Sequence, residues 1–230
     1  MSMDEATQEL LPIRRQESLG DQAYQALKEA IIGGMFEPGY KLTVRTIAEQ
    51  FAVSTTPARD AIHRLINDGA VVYAGPKTVI LPQLSLDDFK EVTSIRIALE
   101  GLAAELCVAH ISDEDVSSLL EMQARLNQAL DRRDYRAVLS ANRDFHFMLY
   151  QRSRLPRLVA MIESLWLRIG PTLIGLYPDF AVSRRGVSNH LMAIDGLEKR
   201  DPAMVRNAMQ NDIRDGFERL QYSVDRRERK

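Results

Sequence analysis

From Ser85 onward the apolar residues recur with one period only, that of an α-helix, and no stretch alternates as a strand does. Breakers divide this run at roughly 86–110, 113–131, 134–151, 155–178, 184–199 and 202–224. The dividers are Ser112-Asp113, the turn 131-DRRD-134, Pro156, Pro178-Asp179 and Asp201-Pro202. Amphipathic segments of this length cannot bury their apolar stripes alone. About six of them in succession imply an all-α helical bundle. Its core draws on Leu99, Leu119, Leu126, Leu149, Ile162, Leu165, Ile194, Ile213 and Phe217.

The chain before Ser85 has a different texture. Tyr24, Leu27 and Ile31 recur at helical spacing through 19-LGDQAYQALKEAII-32, and Gly33-Gly34 stops that helix. After the Pro38-Gly39 turn, Thr43 caps a short second helix containing Ile47 and Ala48. A tight connection, 51-FAVS-54, leads to a third helix that runs to about Leu65 and stops at 67-NDG-69. Then the period changes. The runs 70-AVVY-73 and 78-TVIL-81 are short and β-prone, and 74-AGPK-77 separates them as a hairpin turn. Three short helices followed by a hairpin, closed by Pro82, make a winged helix-turn-helix. The fold class is therefore mainly α: a flexible leader at 1–17, a winged helix with a small β-hairpin wing at 18–82, an all-helical domain at 85–224 and a charged tail at 225–230.

The third helix carries 53-VSTTPARDAIHRL-65. Ser54 is a good N-cap, and Pro57 fits a first turn, where its missing N–H costs nothing. Ala58, Ile62 and Leu65 form the inward stripe, while Thr55, Arg59 and His63 share an outward face flanked by Thr56 and Arg64. Hydroxyls at a helix start suit DNA phosphates, and arginine can read guanine edges in two-pronged fashion. Arg45, on the preceding helix, reaches the same surface, and Lys77, at the hairpin tip, reaches a phosphate or the minor groove. The candidate DNA-contacting set is thus Arg45, Ser54, Thr55, Thr56, Arg59, His63 and Lys77. Taken singly, each is also an ordinary solvated surface residue, and winged helices serve as protein-interaction modules too. The order of elements is what favours DNA. Net charge is −2, so a nucleic-acid site has to be a local patch rather than a basic blanket.

The helical half holds polar residues on a stripe that faces its core. Asn142 and His146 lie four apart in 141-ANRDFHFMLY-150, on one helix face. His190 opens the fifth segment on the inward side of Ile194 and Leu197, and Asp212 borders the apolar row of Met209, Ile213 and Phe217. Buried charges need a partner or a metal. Two imidazoles, a carboxylate and an amide oxygen suit a first-row divalent ion such as Zn, Ni or Mn. The other reading is a metal-free polar pocket in which His146 bonds Asn142 or Asp212. Arg96 shares an inward row with Val92, Leu99 and Ala103. It either receives a carboxylate ligand or bridges Glu100 on its own helix. Trp166 and Tyr177 line a pocket or pack in the core. One cysteine, Cys107, excludes a disulfide framework and a cysteine-rich zinc site, which fits a reducing cytoplasm. The first residues, MSMDEATQELLPIRRQ, lack an apolar signal core, and no apolar run approaches the roughly 20 residues of a membrane span.

The run 42-LTVRTIAEQFAVSTTPARDAIHRLINDGAVVY-73 resembles the winged helix of the GntR family of bacterial transcription regulators. The resemblance covers most of residues 19–82 and implies that Arg45 and Arg59 contact operator DNA. One position departs, since Thr55 stands where that family commonly has arginine. The helical half resembles the effector domain (FCD) of the FadR-like branch, opening at 96-RIALEGLAAELC-107, with six segments as in the VanR-type subgroup. That likeness implies a metal set made of Asn142, His146 and His190, with a fourth histidine at the position Asp212 occupies within 208-AMQNDI-213. Asp212 is a harder ligand and shifts preference toward ions tolerant of oxygen donors. The expectation is a cytoplasmic, homodimeric regulator. It binds a pseudo-palindromic double-stranded operator and releases it when a small carboxylate reaches the metal and Arg96. Two rivals are a metal-dependent hydrolase, for which no general base or nucleophile motif is evident, and an architectural DNA-binding protein with a purely structural bundle.

Overall fold

The computed structural model describes residues 17–76, 78–173 and 184–228, with side chains to 221. Most of the expected leader, Lys77, the 174–183 segment with Tyr177 and Pro178-Asp179, and the end of the tail lie outside the described residues. The N-terminal unit runs α1 (Leu19–Ile32), β1 (Lys41–Thr43), α2 (Val44–Gln50), α3 (Thr55–Asn67), β2 (Val72–Gly75) and β3 (Thr78–Ile80). The C-terminal unit runs α4 (Leu86–Cys107), α5 (Asp113–Asp131), α6 (Tyr135–Arg152), α7 (Pro156–Leu173), α8 (Arg185–Glu198) and α9 (Pro202–Glu228). Helix starts are set by local chemistry. Ser18, Thr43, Ser85 and Ser112 each form a reciprocal capping box with the residue three positions on. Ser54 precedes α3 as expected but makes no side-chain cap bond, so its hydroxyl is left for other partners.

The expected hairpin is present, β2 pairing antiparallel with β3, and a third strand extends it. The sheet is ordered β1-β3-β2, with Leu42 paired to Val79. A three-residue strand such as Lys41–Thr43 is too short to display a period, so it was invisible in the sequence. The second strand also starts later than 70-AVVY-73 implies. Ala70 and Val71 are buried, and the Ala70 N–H closes onto the Leu65 carbonyl at 2.9 Å. Those two residues plug the end of α3, and pairing begins only at Val72, with a bulge between Tyr73 and Gly75.

In the helical unit α4 lies against α6, α7 and α9, while α8 packs on α5 and α9. Leu119, Leu149 and Ile162 are fully enclosed, as their periodicity implies, whereas Leu99, Leu165 and Phe217 are only partly buried at the core's margin. Helix α4 ends at Cys107 rather than 110, where the His110 and Ile111 N–H groups turn back onto the Cys107 carbonyl. No described helix is long and apolar enough to cross a membrane.

One apolar core joins the two units, running from Leu27 and Ile31 to Trp166 and Leu167. The junction is α1 on α7. Lys28 pairs with Glu163, and Arg168 Nε donates to the Asp68 carbonyl at 3.4 Å. Gly170 is the close point: a Cβ there would sit 2.8 Å from Ile32 Cα and 3.0 Å from the Ile31 carbonyl oxygen. Both neighbours are backbone, so neither can swing aside. Gly170→Ala is therefore expected to cost about 1–3 kcal/mol and to speed amide exchange along α1. Gly75→Ala, which meets open space, should do neither. Thermal unfolding with hydrogen exchange on both variants checks this.

Candidate functional site

The polar residues of the helical unit converge in its centre. His146 is 1% exposed, His190 1% and Asp212 8%. Helix α6 aims His146 inward because Phe145 and Leu149, on the same stripe, are fully buried. Its Nε2 lies 3.2 Å from His190 Nε2 and 3.2 Å from Asp212 Oδ2. One ligand atom from each of the three falls within 4.8 Å of the others. Asp212 Oδ1 is buried and meets no hydrogen-bond partner among the described residues. A buried carboxylate oxygen without a donor is costly, and a cation supplies what is missing. The donor set therefore fits a divalent ion.

A small cavity of about 40 Å³ adjoins these atoms, between α4, α6, α7 and α9. Asn142, half-buried one turn before His146, lines it, as do His146, Asp212, Arg96, Thr93 and Trp166. His190 sits behind this wall, stacked on Phe145 with ring centroids 4.0 Å apart. One water needs about 10–15 Å³ by this measure. The space takes a few water-sized groups, not a long acyl chain.

Arg96 already has an anion. Its Nε and Nη2 engage Glu100 at 2.5 and 3.2 Å, and the guanidinium covers Trp166 at 4.7 Å from the ring centroid. The structure thus shows the bridge to Glu100, while Arg96 still borders the cavity. Glu100 also accepts from the Tyr150 hydroxyl at 2.5 Å, and Tyr150 Oη meets His146 Nδ1 at 2.8 Å. Burial alone would raise Glu100, but Arg96 and His146 outweigh it and hold its pKa at about 2. Burial depresses His190 to about 3, so its imidazole is neutral. Burial also acts to depress His146, yet Asp212 and Glu100 together raise it above the ordinary histidine range. Tyr150, Gln123 and Thr93 were missed in the sequence. Tyr150 carried a signal, lying four residues after His146; Gln123 and Thr93 carried none.

A second assembly lies on the winged helix. Arg45, Thr55, Arg59 and His63 border one groove of about 630 Å³ with Tyr73, Pro76 and Thr78 of the wing. Ser54, Thr55 and Thr56 are exposed at the start of α3. Arg45 rests on Glu49 at 2.7 Å, an exposed pair of little energetic weight that a phosphate can displace. Arg64 turns away from this face, to Asp21 at 2.6 Å and over the Tyr24 ring at 3.9 Å. It clamps α3 to α1. Tyr73, exposed on the wing with its hydroxyl 3.4 Å from His63 Nδ1, was not anticipated.

Residues 91–215 match the FCD domain, and residues 19–77 match the bacterial regulatory proteins of the gntR family. The HTH-type transcriptional regulator McbR of Escherichia coli (strain K12) is 32% identical over 194 residues, covering 84% of this chain and 88% of McbR. The chain belongs to the GntR family. The HTH-type transcriptional repressor GlaR of the same organism is 26% identical over 159 residues, covering 63% of this chain and 72% of its own. The solved structure of E. coli McbR/YncC superposes with a TM-score of 0.85 at 30% identity, covering 91% of this chain and 100% of that one. This GntR protein is accordingly a DNA-binding transcription regulator and not an enzyme. The winged helix is its GntR half, and the buried polar cluster lies in its FCD half.

The Arg96–Glu100 pair should behave as a unit. Removing one buried partner strands the other, so Glu100→Gln is expected to destabilise the fold by about 3–5 kcal/mol. The double change Arg96→Met with Glu100→Leu should cost clearly less. Chemical denaturation of both variants checks this, and a loss under 1 kcal/mol in Glu100→Gln would contradict it.

Proposed function

We propose that this regulator acts as a cytoplasmic homodimeric repressor. Its FCD cavity senses a small carboxylate through a divalent ion held by His146, His190, Asp212 and Asn142. The observation that carries the reading is one ligand atom each from His146, His190 and Asp212 within 4.8 Å of one another, the last on a buried carboxylate whose other oxygen, Oδ1, lacks a donor among the described residues. Zn, Ni and Mn all accept such nitrogen and oxygen donors, and the two oxygen ligands favour the ions more tolerant of oxygen.

Charge supports pairing the metal with an acid. Without a metal the cluster sets Arg96, and His146 when protonated, against two anions, Glu100 and Asp212, and so carries no net positive charge. A bound divalent ion would supply the positive charge that draws a carboxylate in. Thr93 and Arg96 then orient the acid, and Phe89 and Trp166 exclude water around it. The cavity volume limits the ligand to an acid of few heavy atoms.

Helix α7 gives the site a route to DNA. Its Trp166, Ile169 and Leu173 line the cavity, while Glu163, Arg168 and Gly170 touch the winged helix. A ligand that prefers one placement of α7 shifts the winged helices between two arrangements, by no more than its differential affinity for them. In the operator-binding arrangement two recognition helices, α3 and its copy, enter successive major grooves about 34 Å apart. Arg59, Thr55 and His63 face the bases, with Arg45, Ser54, Thr56 and Lys77 on the backbone. GlaR's designation as a repressor supports the negative sign.

Arg59→Ala is expected to weaken operator binding about 5- to 150-fold, the worth of one arginine–guanine contact, and to leave the helical unit folded. Unchanged affinity at matched salt would remove α3 as the reading helix. Elemental analysis of protein purified without chelator should find up to one divalent ion per chain, lost in the double variant His146→Ala/His190→Ala. Equal metal content in that variant would remove the site. Operator binding insensitive to a panel of small carboxylates would leave an architectural role instead.

A further inference from the structure

Behind the two imidazoles lies a second set of contacts that ligand spacing alone does not require. His190 Nδ1 is 2.7 Å from Gln123 Oε1, and Gln123 Nε2 donates onward to Asn127 Oδ1 at 3.2 Å. An amide oxygen can only accept. The His190 ring proton is therefore on Nδ1. His146 Nδ1 is 2.8 Å from the Tyr150 hydroxyl oxygen. That hydroxyl has one proton and gives it to Glu100 Oε2, whose carboxylate Arg96 holds ionised. The Tyr150 oxygen is left to accept, so His146 also carries a proton on Nδ1.

Both rings consequently turn Nε2 inward. The two Nε2 atoms face one another at 3.2 Å, and Asp212 Oδ2 stands 3.2 Å from that of His146. Three lone-pair atoms meet at one point, and only a proton or a cation can sit among them. Gln123 is 2% exposed and Tyr150 0%, on α5 and α6, and neither borders the cavity.

We propose that Gln123, and Tyr150 through its bond to Glu100, are positioning residues that lock His190 and His146 in the Nδ1–H tautomer and so aim both Nε2 atoms at one divalent cation. This rests on the metal reading of the cavity and deepens it. An ordinary buried histidine needs only some partner on each nitrogen, in either tautomer. A ligand histidine needs an acceptor on the far nitrogen, which fixes its orientation and raises its basicity.

Two readouts on the full chain test this. In metal-free, ¹⁵N-labelled protein, the ring nitrogen shifts of His190 should report protonated Nδ1 and bare Nε2. Gln123→Leu, which keeps the volume and removes the acceptor, should move His190 toward the Nε2–H form. Titration with Zn²⁺ and separately with Mn²⁺ should then show Gln123→Leu and Tyr150→Phe binding about 10- to 100-fold more weakly than the parent. Gln123→Glu, which restores an acceptor oxygen, should return to within a few-fold of the parent or bind tighter. A merely structural Gln123 would shift the unfolding midpoint in both variants without this split. Bare Nδ1 on His190 in the parent overturns the lock itself, as does unchanged affinity in Gln123→Leu. Intact Nδ1–H tautomers in a parent chain that takes up neither ion overturn the metal reading, and the positioning role falls with it.

Discussion

The buried pair of Arg96 and Glu100 is the interaction on which the centre of this molecule depends. A guanidinium and a carboxylate, 7% and 0% exposed, cannot lie among helices unless each satisfies the other. They do so one turn apart on α4, the helix against which α6, α7 and α9 pack. Once in place, Glu100 draws the Tyr150 hydroxyl toward it, and Tyr150 in turn orients His146. His146 is thus held by a chain of bonds that begins in an ion pair and ends at Asp212, while Gln123 holds His190 separately. Replacing the pair with apolar residues of similar volume can leave a stable bundle but removes the partner that holds Tyr150 against His146.

The same helices tie that centre to the winged helix. Helix α7 is shared between them, with Trp166 on the cavity and Gly170 against the backbone of α1. Packed interfaces of this kind do not deform smoothly, and small shifts on one face appear on the other. The Arg64 clamp to Asp21 and Tyr24 ties α3 to α1, so a displacement received by α1 reaches α3. The FCD cavity and the winged helix are thus joined through packed side chains and backbone.

Much of this was legible before the structure. Helical period alone separated the bundle from the wing, because long amphipathic segments repeat their signal many times over. Asn142 and His146 announced themselves by lying one turn apart on an apolar stripe. His190 and Asp212 were found on inward rows. Other features were silent for physical reasons. Strand β1 has three residues and no room for a pattern. Gln123 meets His190 across 67 residues and Tyr150 meets Glu100 across 50, separations at which local spacing carries no information. Arg64, read as flanking the DNA face, is instead spent on Asp21, a partner 43 residues away. Interior geometry decided these, and the chain displays only one partner at a time.

On the proposed reading, the point between His146, His190 and Asp212 holds a divalent ion. Anomalous diffraction from crystals grown with Zn²⁺, recorded without added chelator, tests it most directly. The expected result is one strong peak per chain, about 2.0–2.2 Å from both Nε2 atoms and from an Asp212 oxygen. A cavity without a peak, or a peak only elsewhere in the chain, would contradict it.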